Sequence, residues 1–195
     1  MVHTRPDGAP AETILDLLHA DDAYITGLFE RLAEKQQAPD SVRDRLVFRI
    51  CEALSIQRLA EEEVLYPVLR PSDEKLVFGF LLVGHGVSMR IAEIRDANRP
   101  RALREASVLR LRELVRRNLA ERQRILLPFA RGLLTRTQLL WLGDDYKQRK
   151  AALRTVADSR PPRPTSLAGR PTGARTAISM ALWRQRRARD DAHLR

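Results

Sequence analysis

Six polar side chains stand where a helical protein would otherwise place apolar ones. Leu15, Leu18, Asp22, Ile25, Phe29 and Leu32 recur at three- and four-residue steps and form one stripe of a helix, with Asp22 in its middle. A second stripe, Ile50, Leu54, Gln57, Glu61, Val64 and Val68, sets an amide and a carboxylate one turn apart. A third, Phe78, Leu82, His85, Met89 and Ala92, centres on a histidine, and a fourth, Leu111, Val115, Asn118, Arg122, Ile125 and Phe129, carries an amide and a guanidinium. Burying such groups unpaired costs about 1 to 3 kcal/mol each, and more for a charge, so they are expected to face one another. The chemistry this offers is ionic: Arg122 can pair with Asp22 and Glu61 while Gln57, Asn118 and His85 complete the hydrogen bonds.

The elements that must carry these residues are helices. From residue 11 to 157 the apolar residues keep helical spacing, no stretch alternates as a strand does, and breaks fall where Pro and polar residues cluster. The pattern predicts helices over about 11–36, 40–69, 72–98 and 102–131, and a shorter one over about 137–156. Asp40 or Ser41 would cap the second, Ser72 or Asp73 the third, and Pro67 would distort the last turn of the second. Four helices of similar length joined by short connections predict an all-α, up-down-up-down four-helix bundle with a short extra helix. Its two halves repeat weakly: at an offset of 61, Leu65-Tyr66-Pro67 matches Leu126-Leu127-Pro128, Gln57 matches Asn118 and Glu61 matches Arg122.

Composition bounds the rest. The 195 residues, 44% hydrophobic and 31% charged, suffice for one domain with a buried core. Residues 159–195 hold nine Arg and no Lys against two Asp, which is +7 of the net +10. The expected organisation is therefore a flexible start over 1–10, a helical body over 11–157, and a disordered, Arg-rich tail over 158–195. Within that tail, residues 177–189 could form a short basic amphipathic helix suited to an acidic protein, nucleic acid or an anionic membrane surface. The longest apolar runs, such as 76–83, are shorter than a membrane span, and the first residues lack the pattern of a secretory signal. With one cysteine, Cys51, expected to be an inert core residue, a cytoplasmic chain without disulfides is expected.

Over residues 11–145 the chain resembles the hemerythrin-like, or HHE cation-binding, family. The resemblance rests on LLHADDAYITGLFERL in the first helix, AEEEVLYP at the end of the second, and LLVGHGVSMRIAEI in the third. It implies a bundle that holds two non-haem irons through a His on the first helix, His-x-x-x-Glu on the second, a His on the third and His-x-x-x-Glu on the fourth. Those positions here are Asp22, then Gln57 and Glu61, then His85, then Asn118 and Arg122. Gln and Asn are poor iron ligands and Arg122 is a permanent cation where a bridging carboxylate would sit, so no di-iron centre is expected. Three readings follow, the last an enzyme that uses the altered site for oxidation. In the first, the polar layer satisfies itself without metal, and the chain is a non-enzymatic binding or regulatory module. In the alternative, Asp22, Glu61 and His85, with His19 one turn before Asp22 as a further donor, hold a single iron that binds or senses oxygen or related species. Tyr66 is expected at the bundle end with its hydroxyl partly wet, and Glu62 and Glu63 at the surface. His3 and His193 carry no signal.

Overall fold

A computed structural model describes residues 12–158. The expected flexible start, the basic tail and its helix over 177–189 lie outside the described residues. Those described are all-helical, with no strand among them.

The first helix, α1 (Ile14–Glu34), begins at Thr13. Its hydroxyl accepts from the Asp16 N–H, and Asp16 Oδ2 accepts from the Thr13 N–H, so two donors of the first turn are satisfied reciprocally. The second, α2 (Asp40–Val64), is entered from Pro39, one position earlier than expected, leaving Asp40 as its first residue and free to bind Arg101. Pro67 lacks an N–H and its ring crowds the carbonyl of Glu63. α2 therefore ends at Val64 and one short turn, α3 (Tyr66–Leu69), follows. Asp73 caps α4 (Glu74–Arg95) through a 2.9 Å bond from the Leu76 N–H.

The next expected helix is divided in three. After α5 (Arg101–Glu121) comes a π-helical turn, Arg122–Leu126, and then α6 (Leu127–Leu133). The Leu127 N–H reaches back five residues to the Arg122 carbonyl, and Pro128 withdraws a donor from the following turn. The wider turn rotates the helix face. Arg122 is followed inward by Leu126 and Ala130, while the expected Ile125 and Phe129 are only half-buried. The last helix, α7 (Arg136–Asp158), is as long as the others rather than a short appendage.

α1 packs against α2 and α4 against α5, each pair joined by a short connection, and α7 lies against both α1 and α2. Two hydrophobic clusters result. One gathers Ile14, Leu18, Val64, Leu69, Phe80, Leu126, Leu142 and Tyr146, and the other Ile25, Leu28, Ile50, Leu54, Val87, Ile91, Leu111 and Val115. Along α1, α2 and the α5–π segment, the residues between the clusters are Asp22, Gln57 with Glu61, and Arg122. The inner face of α4 is Val77, Phe80, Gly84, Val87, Ile91 and Ile94, which corrects the expected stripe. Phe78, Leu82, His85, Met89 and Ala92 face outward. Both faces of α4 are apolar, so periodicity alone did not distinguish them. α4 is also the one helix among those described that is long and apolar enough to cross a membrane by length and composition. It nevertheless packs its inner face into both hydrophobic clusters.

Candidate functional site

The polar layer is built around Arg122, a residue 4% exposed where the π turn aims it inward. Its Nη1 donates to Asp22 Oδ1 at 2.8 Å and its Nη2 to Glu61 Oε2 at 3.1 Å; Nη1 also lies 3.0 Å from Glu61 Oε1. Gln57 Nε2 donates to Asp22 Oδ1 at 2.8 Å. The Tyr66 hydroxyl, carried round by the turn after α2, donates to Glu61 Oε2 at 2.9 Å. Tyr66 is buried rather than partly wet.

One guanidinium thus serves two carboxylates, and the charges do not balance when both are ionised. Burial drives the Glu61 pKa up to about 7, Arg122 opposing the rise and Asp22 adding to it. Burial also raises Asp22, against the pull of Arg122 and of the Gln57 hydrogen bond. For Arg122 burial acts downward, but Glu61 and Asp22 outweigh it and hold the guanidinium charged. The Tyr66 hydroxyl is raised by burial and by Glu61 beside it, and so stays a donor. Glu61 therefore exchanges its proton near neutrality instead of in the ordinary carboxylate range. Its remaining polar atoms, Asp22 Oδ2, Glu61 Oε1, Arg122 Nε and Asn118 Oδ1, are buried without a hydrogen-bond partner.

Not every expected member joins. His85 is exposed on the outer face of α4, and the inward position of that helix between Phe80 and Val87 is Gly84. His19 is exposed too, its Nδ1 lying 2.8 Å from the Leu15 carbonyl. Asn118 is half-buried and its side-chain oxygen is outside the bonded set. Glu62 and Glu63, expected at the surface, are half-buried and paired with Arg58 and Arg149. Cys51 is buried, and burial pushes its thiol up to about 11. The internal repeat has a direct structural counterpart: Glu61 and Arg122, equivalent at the offset of 61, are bonded to each other.

Helix α7 supplies what the sequence reading missed. Tyr146 is fully buried and donates to Asp21 Oδ2 at 2.8 Å, and Lys150 binds the other oxygen of the same carboxylate. Burial, with Glu61 and Asp21 close by, raises the Tyr146 hydroxyl well above the ordinary phenol range. The stripe Leu139, Leu142, Tyr146 was the signal that could have placed it inward. Outside Asp21, a groove of about 180 Å³ between α1, α2 and α7 is lined by Tyr24, Arg49, Glu52, Lys150 and Arg154.

Among the described residues no three His, Cys, Asp or Glu side chains converge in a way that could hold a metal ion. Asp22 and Glu61 come together, but Arg122 lies between them and no imidazole stands beside them. This donor set does not fit the iron that the family resemblance implies. The chain matches no protein-family model, no curated protein and no solved structure.

Proposed function

We propose that the chain is a four-helix bundle of the hemerythrin-like type whose metal layer has become an ion cluster, and that it works as a non-enzymatic binding or regulatory module. The observation that supports this reading is the Arg122 guanidinium, within 3.1 Å of both Asp22 and Glu61. A permanent cation at the centre of the layer supplies the positive charge a metal would bring, and it cannot be deprotonated to make way for one. The self-bonded, buried layer also has no exposed nucleophile or base to present to a substrate. Function then resides on the outer surfaces of the helices and on the basic segment beyond residue 158.

The test is iron content. Full-length protein is loaded anaerobically with Fe(II), desalted and exposed to air, while metal per chain is measured by mass spectrometry and near-ultraviolet absorption is followed. Iron at background with an unchanged spectrum is the expected result. Near-stoichiometric iron with a new charge-transfer band, lost in Glu61→Ala, would instead make this an iron protein.

A further inference from the structure

The inward stripe of α7 changes character part-way along. Leu139, Leu142 and Tyr146 are buried, but the next residue of the stripe, one turn on, is Lys150. A lysine cannot close an apolar interface as leucine does, because its ammonium must reach water or meet an acid. Lys150 meets Asp21 of α1, and one turn further Arg154, on the same face of α7, is exposed. Beside this half of α7 lies the groove of about 180 Å³ that it forms with α1 and α2.

The floor of the groove is apolar and its rim is charged. Ile25 and Ile56 are buried beneath it, and Ala53, half-buried, has too small a side chain to fill it. At the rim stand Tyr24, 51% exposed, and the exposed residues Arg49 of α2 and Arg154 of α7. Charge in the lining does not cancel. Three cations, Arg49, Lys150 and Arg154, outnumber two acids, Asp21 and Glu52. Asp21 is fully engaged, since Tyr146 and Lys150 hold its two oxygens. Among the described residues no carboxylate is bonded to Arg49 or Arg154. Glu52 alone is left to set against two guanidinium groups, and the surplus is one positive charge.

The bulk of an occupant follows from the volume. A cavity of about 150 Å³ accepts benzene, so this groove has room for one ring with a small substituent. The apolar floor and the Tyr24 ring suit an aromatic group, and a guanidinium fork suits a carboxylate. We propose that the groove between α1, α2 and α7 binds a small monocarboxylate with a single aromatic ring, the ring lying over Ile25, Ala53 and Ile56 and the carboxylate drawn to Arg49 and Arg154. Glu52 disfavours a dianion, and a neutral ring leaves the surplus charge unanswered. The site does not depend on whether the layer around Arg122 binds metal.

The experiment is a titration of the isotope-labelled full-length chain with benzoate, followed by amide resonances. Benzyl alcohol serves as the neutral counterpart and inorganic phosphate as an anion without a ring. Benzoate should give saturable shifts centred on residues 21–25, 49–56 and 150–154, with a dissociation constant on the order of 1 mM for so small a ligand. Replacing both guanidinium groups, Arg49→Gln with Arg154→Gln, should weaken binding about tenfold with unchanged circular dichroism, since both positions are exposed. Ala53→Leu should fill the groove and abolish the shifts. Benzyl alcohol or phosphate binding there as tightly as benzoate would overturn the proposal, as would a double variant that binds benzoate like the parent. So would shifts that fail to saturate at tens of millimolar, or that centre on other residues.

Discussion

Glu61 carries the consequence of setting two carboxylates against one guanidinium. Its pKa stands at about 7 in the folded chain against an ordinary 4.5, so between those values the folded state keeps a proton that the unfolded state has lost. Stability must therefore fall as pH rises from about 4.5 to 7, and Asp22, also raised, acts in the same direction. Asp16, Glu93 and Glu113 are held below their ordinary values by hydrogen bonds and cations, so their contribution is lost only at more acidic pH. Urea unfolding across pH 5 to 8 should show this decline, and Glu61→Gln should flatten it, because the amide is the uncharged shape of the protonated acid. A Glu61→Gln variant as pH-sensitive as the parent would place the retained proton elsewhere. Tyr66→Phe removes a donor from Glu61 and should cost about 1 to 2 kcal/mol, while raising the Glu61 pKa further as followed by carboxyl-carbon resonances.

At the scale of elements, α7 does more than lengthen the bundle. It crosses the start of α1 so closely that a Cβ at Gly143 would stand 2.6 Å from the Glu12 carbonyl oxygen and 3.1 Å from the Ile14 nitrogen. Backbone there cannot swing aside as a side chain would. Gly143→Ala should destabilise by about 1 to 3 kcal/mol in thermal or urea unfolding, although alanine is the better helix former. An unchanged or higher midpoint would mean that α7 does not seat on α1 in this way. Legibility in the sequence followed the same divide. The stripes of α1 and α2 were readable because each has one apolar face, interrupted by Asp22 and by Gln57 and Glu61. α4 was not, since Val77, Phe80, Val87 and Ile91 on one side and Phe78, Leu82 and Met89 on the other satisfy the same period. The π turn was hidden as well: Pro128 is visible in the sequence, but not the one-residue rotation that brings Leu126 inward in place of Ile125. Tyr146 was missed because α7 was read as an appendage, not as a packed element.

Over the whole molecule, the layer of Asp22, Gln57, Glu61 and Arg122 separates two hydrophobic clusters, and each helix that carries it runs through both. A fault in the layer is thus felt by both halves of the core. Four of the six polar residues set along the helix stripes hold one another there, while His85 and Asn118 stand outside the bonded set. The direct test is urea unfolding, at pH 8, of the parent, Arg122→Leu, and a triple variant that also carries Asp22→Leu and Glu61→Leu. Removing the guanidinium alone leaves two buried carboxylates without a cation and should cost about 3 to 5 kcal/mol, most of it recovered in the triple variant, where no buried charge remains. If Arg122→Leu instead unfolds at the same urea concentration as the parent, Arg122 is not what holds the layer together, and the ion-cluster account is wrong.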